Sequence, residues 1–332
     1  MKVSLSPAKP PAKPPAKICH NPPNPSPSDG IAILEAAKNG DIHAAYRLYK
    51  EGSYPKDAVL IGVSVELAEY GSIGPGAKEY FRKLATTHSA SQNGHLVIPI
   101  PLNATFKDKE LSCLETLSLP QIVARDLEGL DGVVVPGDEF NFPALRADLN
   151  PRQAILEYSG RMEYHDHPTI YGESAKDFYL KHGDHALNPH PESLIYEAEL
   201  LSQLKKTDQI VMTSCHGTQM YAVLAGAHLL ADIEGHNTWK PGRITIDPDS
   251  MAYEYQGPLD ETSWHIHKLA IDPKGLPSHL KVVGTSDGVV EIIEEKEGKP
   301  YYGYQTHPEF VPHHPSLEAF VSSVIERHSL RK

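Results

Sequence analysis

From Asp57 onward, short continuous apolar runs alternate with segments whose apolar residues recur at helical spacing. Val59 to Val65 (VLIGVSV) reads as a buried strand, and Leu96 to Ile100 (LVIPI) as a second. Between them, Pro75 to Thr87 predicts a helix with Ala77, Tyr80, Phe81 and Leu84 on one face. Leu119 to Leu127 predicts another helix and Gly132 to Val135 (GVVV) a third strand. Leu194 to Leu204 then reads as a helix, and Gln209 to Thr213 as a fourth strand followed by a helix running to about Leu230. Strands that are apolar throughout, separated by helices, imply a mostly parallel sheet covered on both faces, hence an α/β fold of three layers. Right-handed crossovers collect the carboxyl ends of such strands on one edge, where these folds place their sites.

After Arg243 the pattern changes. RITID, AYEYQ, KLAID, KVVGT, GVVEII and YYGYQ predict strands, read as an antiparallel addition to the same domain, and Glu318 to His328 predicts a closing helix. At the other end, residues 1–28 contain nine prolines, four lysines and no acidic residue, a composition that favours polyproline II and builds no core. A spacer is expected there, with a ligand for a proline-recognising domain as the functional counterpart. Residues 29–56 predict a helical hairpin split at Asn39-Gly40. Its wording resembles part of an ankyrin repeat but lacks the Thr-Pro-Leu-His element and has no second copy, so it is expected to pack on the main domain. Residues 57–332 are expected to form the catalytic domain.

The formal net charge is −12, and without the tail the chain carries 27 basic against 43 acidic side chains. That argues against a nucleic-acid surface. No apolar run reaches bilayer length and the amino-terminal stretch has no apolar signal region, so neither membrane nor secretion is expected. Three widely spaced cysteines (Cys19, Cys113 and Cys215) fit a reducing, cytoplasmic setting better than a disulfide framework.

The segment QIVMTSCHGTQMYAVLAGAHLL holds the sharpest chemical signal. A strand runs into Cys215, Gly217 follows, and Met220, Val223, Leu224 and Ala227 recur at helical spacing. A nucleophile at a strand-to-helix turn is lifted clear of the sheet, and helix N-termini favour the anionic form of thiols placed there. A free cysteine is more commonly inert and buried, so the segment needs a base to be functional. In YYGYQTHPEF a strand would deliver His307 to the same edge, with Glu309 turned back past Pro308 to orient the imidazole.

Together these residues resemble the class I glutamine amidotransferase-like superfamily. It carries a Cys-x-Gly-x-Gln elbow, here Cys215 to Gln219, and a distal His-Pro-Glu, here His307 to Glu309, 92 residues after the cysteine. The resemblance is closest to the γ-glutamyl-γ-aminobutyrate hydrolase branch (peptidase C26 type), through SWHIHKLAI (Ser263, His265, His267) and DGVVEII from Asp287. It implies a flavodoxin-like sheet and a Cys215–His307–Glu309 triad. It also implies an oxyanion hole from the backbone N–H groups of Gly137 and His216, and substrate contacts from Gln219, Asp138 and His265. The implied reaction is hydrolysis of a small γ-glutamyl amide through a thioester, with no cofactor. Alternatives are a glutaminase subunit delivering ammonia to a partner, and a degenerate interaction protein. Thr213 stands where the family usually has Gly, and Asp138 where a second Gly is common. A protein partner could dock on the tail or the first helices, and a homodimer is the other assembly considered.

No metal is expected. The stretch from Tyr158 to Pro191 holds His165, His167, His182, His185 and His190, but it is rich in Pro, Gly and Asn and reads as a surface insertion or lid. GSIGPGAK (Gly71 to Lys78) lacks the Gly-Lys-Ser/Thr ending of a phosphate loop.

Overall fold

The computed structural model describes residues 29–39, 41–52, 54–65, 75–86, 95–102, 118–137, 145–157, 167–182, 191–298 and 300–332. The proline-rich tail, Asp138, Cys19 and Cys113 lie outside the described residues. The helices are α1 (Asp29–Lys38), α2 (Ile42–Lys50), α3 (Pro75–Thr86), α4 (Leu119–Leu127), α5 (Pro151–Glu157), α6 (Ala175–His182), α7 (Pro191–Leu204), α8 (His216–Ala225), α9 (Met251–Gln256) and α10 (Pro315–Leu330). The strands are β1 (Val59–Ser64), β2 (Val97–Leu102), β3 (Gly132–Val135), β4 (Ile210–Ser214), β5 (Leu229–Leu230), β6 (Asn237–Pro241), β7 (Ile244–Ile246), β8 (Leu259–Asp260), β9 (Trp264–Ile266), β10 (Ala270–Ile271), β11 (Leu280–Ser286), β12 (Val289–Glu295) and β13 (Tyr301–Tyr304).

Nine strands form one sheet in the order β2-β1-β3-β4-β13-β12-β11-β7-β8. The first five are parallel neighbours, and from β13 outward each pairing is antiparallel. β1 to β4 and β13 are buried at every position, as strands covered on both faces must be. α3 and α10 both pack on the turn at 308–310, while α4, α5, α7 and α8 pack on one another. The hairpin of α1 and α2 docks on β2 and adds Ile33, Leu34, Ala37 and Ala45 to the core. Two short antiparallel ribbons, β5–β10 and β6–β9, stand outside the main sheet.

Three expected elements come out differently. YYGYQ, read as part of the antiparallel addition, pairs parallel with β4 on one side and antiparallel with β12 on the other. The helix after Cys215 stops at Ala225 rather than near Leu230, because Gly226 takes a left-handed φ of 102° and its N–H closes on the Ala222 and Val223 carbonyls. The expected strand AYEYQ is helix α9. Ser250 caps it by accepting from the Tyr253 N–H, and Glu294 accepts from the Met251 and Ala252 N–H groups. These caps override the β-preference of the two tyrosines. Among the described residues no helix is long and apolar enough to cross a membrane.

α10 holds the parallel half together through Phe320, Val321 and Val324, all fully buried. Phe320 meets Tyr302 of β13 edge-on at 5.8 Å between ring centroids. A Phe320→Ala substitution should therefore cost about 3–5 kcal/mol of unfolding free energy, read from urea denaturation, with Phe320→Leu costing clearly less.

Candidate active site

The pairing of β3, β4 and β13 brings three distant segments to one edge. In register, Val135 of β3 stands beside Thr213 of β4, and Ser214 of β4 beside Tyr304 of β13. All three strands run the same way, so the residues just past their ends (Gly137, Cys215 and His307) emerge together.

Cys215 sits at the turn into α8 with φ 45° and ψ −111°, a conformation unusual for a residue with a side chain. Backbone and side-chain ties hold it there. The Cys215 N–H donates to the Tyr304 carbonyl at 2.7 Å, and the Thr218 hydroxyl donates to the same oxygen at 2.7 Å. A Cβ at residue 217 would stand 2.3 Å from the Val135 carbonyl oxygen, so only glycine lets α8 begin this close to β3. Thr213, the departure from the family pattern, is fully buried and fits. Its hydroxyl bonds Thr218 Oγ1 at 2.8 Å and the Tyr301 phenol at 2.7 Å.

His307 follows β13, and the 3-10 turn Pro308–Phe310 swings Glu309 back to it, with 2.6 Å between His307 Nδ1 and Glu309 Oε1. Both are buried. Phe310 stacks on the imidazole at 5.4 Å between centroids. Burial acts to lower the pKa of His307. The opposing charges of Glu309 and Cys215, together with hydrogen bonds to both, outweigh it and hold the imidazole up at about 10. Gly137 closes the other side, since a Cβ there would lie 2.6 Å from His307 Cε1 and 2.7 Å from Cys215 Cβ. The chain thus brings a thiol, an imidazole and a carboxylate into one row, the arrangement of a nucleophile, its base and the group that orients the base.

The remaining expected residues are placed as follows. The Gly137 N–H donates to Ser214 Oγ at 3.0 Å, so an oxyanion at this site would compete with that hydroxyl. His216 is the first residue of α8, where peptide N–H groups point out of the helix rather than into its ladder. Its side chain stands 3.5 Å from the buried carboxylate of Glu197, which also accepts from the Ser64 hydroxyl at 3.0 Å. Gln219, expected on the substrate side, is buried instead, and its amide donates to the Leu269 carbonyl at 3.2 Å and to Gln305 Oε1 at 3.3 Å. It ties α8 to the late strands, because its place one turn into the helix faces the protein. His265, expected in the substrate pocket, is turned toward His236, at 3.0 Å between their Nδ1 atoms. Of the histidines in the 158–191 insertion, only the side chain of His167 is described.

Sequence reasoning gave no place at the site to Tyr80 or Lys83 of α3. Tyr80 is fully buried next to Glu309 and Ser214, and burial followed by the Glu309 charge raises its phenol well above the usual range. The Lys83 ammonium donates to the Val311 carbonyl just past the His-Pro-Glu turn. Helical spacing marked Tyr80 as core, and nothing local marks its neighbourhood to the triad. Among the described residues, a convergent ligand-type cluster lies among the late strands. It consists of His236, His265, His267 and Glu291.

Residues 189–325 match the family model described as Glutamine amidotransferase class-I, a stretch that includes Cys215, His307 and Glu309 but not Gly137. Among curated proteins, the chain is 29% identical over 148 residues to protein NtpR of Enterococcus hirae, covering 36% of this chain and 59% of that protein. It is 27% identical over 143 residues to the carbamoyl phosphate synthase small chain of Pseudomonas aeruginosa, covering 41% of this chain and 35% of the relative. The chain therefore spans less than two thirds of either relative. Among solved structures, a glutamine amidotransferase from Thermotoga maritima superimposes with a TM-score of 0.39 at 17% identity, over 83% of this chain and 84% of that one.

The raised pKa of His307 has a stability consequence with a defined sign. The folded value of about 10 lies above the ordinary 6.5, so the protonated ring stabilises the fold in full below pH 6.5. That contribution drains away as pH rises from 6.5 toward 10. Glu309→Gln removes one of the charges responsible. It should move the imidazole titration, followed by ring-nitrogen NMR, to lower pH and flatten the fall of unfolding free energy over that window. An unchanged midpoint would show that Glu309 does not govern the ring.

Proposed function

We propose that this chain is a thiol-dependent hydrolase of the glutamine-amidotransferase type, acting on the C–N bond of a γ-glutamyl amide. The observation that carries the reading is the buried row of Cys215, His307 and Glu309, assembled from two adjacent parallel strands with 2.6 Å between imidazole and carboxylate. The family match over residues 189–325 supports the same chemistry.

In this reading the Cys215 thiolate attacks the γ-carbonyl and forms a tetrahedral intermediate. The N–H of His216 stabilises its oxyanion, joined by that of Gly137 once the incoming oxygen displaces the Ser214 hydroxyl. Donors of this kind are each worth about 3 kcal/mol of barrier. His307, protonated and held by Glu309, gives its proton to the leaving nitrogen as the thioester forms. The same ring then takes a proton from the water that attacks the thioester, releasing the γ-carboxylate and regenerating the thiolate. Asp138, which follows Gly137 in the sequence, is retained as a substrate contact. Gln219 and His265 contribute through the protein framework.

Two substrate classes follow from this chemistry: free glutamine, with ammonia as product, and substituted γ-glutamyl amides, with an amine as product. The resemblance of SWHIHKLAI and DGVVEII to the peptidase C26 branch favours the substituted amides and a stand-alone hydrolase. The relative named as a small chain of carbamoyl phosphate synthase favours the glutaminase reading, in which a partner receives ammonia.

Cys215→Ala should abolish release of glutamate from either class, and Glu309→Gln should lower kcat by about 10²–10⁴-fold with a smaller change in KM. Comparing glutamine with γ-glutamyl-aminobutyrate as substrates separates the two classes. Full activity in Cys215→Ala would end the mechanism.

A further inference from the structure

His236 precedes β6, His265 lies in β9, His267 follows it, and Glu291 lies in the middle of β12. The geometry points to a binding site for one divalent transition-metal ion of the zinc class at these four side chains, a site distinct from the thiol centre. One ligand-type atom from each residue lies within 4.8 Å of every other, and all four residues are buried. Around a four-coordinate zinc with bonds near 2.0–2.1 Å, ligand atoms stand about 3.3 Å apart, so a modest contraction closes the set on an ion.

The backbone builds this convergence. His265 and His267 are two apart on an extended segment and so project to the same side. The His267 N–H donates to the His236 carbonyl at 3.0 Å, which brings the third ring alongside. The rings of His236 and His265 stack at 4.8 Å, and His267 meets both at 5.1 and 5.9 Å. Glu291 faces them from β12 of the main sheet.

The hydrogen-bond pattern favours a cation at the centre. His267 Nδ1 donates to the Leu269 carbonyl at 2.9 Å, the outer contact that fixes a ligating imidazole and turns its other nitrogen, a lone pair, inward. That nitrogen stands 3.3 Å from Glu291 Oε2, which also has only lone pairs to offer. His236 Nδ1 is 2.8 Å from Glu291 Oε1 and 3.0 Å from His265 Nδ1, so a single N–H would have two acceptors to serve. Both Glu291 oxygens and His267 Nε2 are buried without a hydrogen bond of proper geometry. A positive ion between them satisfies all of these lone pairs at once. Three imidazoles and one carboxylate suit zinc-like ions, whereas magnesium and calcium prefer oxygen-only shells.

His236 and His265 also line a cleft of about 790 Å³ beside Lys240, Gly242 and Arg243, which gives an ion a route in. The four protein ligands fill a tetrahedral shell, as in structural rather than catalytic zinc sites. The bound ion would brace the strands that carry the base. The Glu291 carbonyl accepts the Gln305 N–H at 2.7 Å, and the Trp264 carbonyl, one residue before His265, accepts the His307 N–H at 3.3 Å.

The test uses the full-length chain stripped with a chelator and titrated with Co²⁺ or Zn²⁺ alone. One equivalent of Co²⁺ should bind with the intense visible ligand-field bands of a tetrahedral site and without thiolate-to-cobalt charge transfer, which keeps Cys215 out of the assignment. His267→Gln and Glu291→Gln should each weaken binding by roughly 10–100-fold, and Zn²⁺ should raise the Tm of the unmutated chain. If a variant fails to fold, the unmutated chain decides by itself. No stoichiometric ion, or a charge-transfer band showing thiolate ligation, overturns the proposal. Equal affinity in folded variants overturns it as well, and leaves the four residues a proton-linked cluster.

Discussion

The structure depends on one pairing, the parallel docking of β13 against β4. These strands are separated in sequence by almost the whole antiparallel half of the sheet, yet Tyr301 to Tyr304 register with Val211 to Ser214. Parallel direction is what matters chemically. An antiparallel β13 would deliver His307 to the opposite edge, far from Cys215. Because the direction is shared, the residue after one strand and the short turn after the other meet without any long loop having to be fixed in place. The Cys215 N–H continues the ladder onto Tyr304, so Cys215 is the last rung of the sheet before the chain turns away.

That rung is held under strain. A side chain at φ 45° costs of order 1–3 kcal/mol, and the surroundings must outweigh it. They do so with a small hydroxyl network: Thr213 to Thr218, Thr213 to Tyr301, and Thr218 to the Tyr304 carbonyl. The threonine at 213 is therefore part of what supports the elbow. A family pattern with glycine at that position avoids a side chain in a tight space, whereas here the side chain is accommodated and its hydroxyl bonded on two sides. The departure that first suggested a degenerate site is absorbed by hydrogen bonding.

Much of this was legible in the sequence, for identifiable reasons. β1 to β4, α3 and α4 follow directly from apolar runs and helical spacing, because burial on both faces leaves no polar interruption to misread. The candidate row was legible because Cys215 and His307 stand just past strand ends and Glu309 follows within one short turn, local events with local signatures. α9 was not, because its stability comes from Ser250 and from Glu294, some forty residues later, while its own residues alternate like a strand. The direction of Gln219 depends on the distant Leu269 and Gln305, and no local pattern encodes it. The His/Glu cluster has no local signature, because its members are spread from 236 to 291 and meet only through the β6–β9 ribbon and β12.

The same chemical pair, imidazole and carboxylate, occurs twice in this half of the molecule in two different arrangements. At His307 the ring nitrogen and Glu309 oxygen are hydrogen-bonded at 2.6 Å, one ring to one carboxylate, and the far side of the ring is left to the thiol. A proton can be held there and passed on, which is what acyl transfer asks of a base. At Glu291 one carboxylate is surrounded by three rings at 2.8 to 3.7 Å. No ring there pairs with the carboxylate alone, since all three rings share its two oxygens. The first geometry conducts a proton along a row, and the second gathers negative and lone-pair density around a point. Backbone hydrogen bonds from the Gln305 and His307 N–H groups to the Glu291 and Trp264 carbonyls join the two, so the order of the second bears on the position of the first.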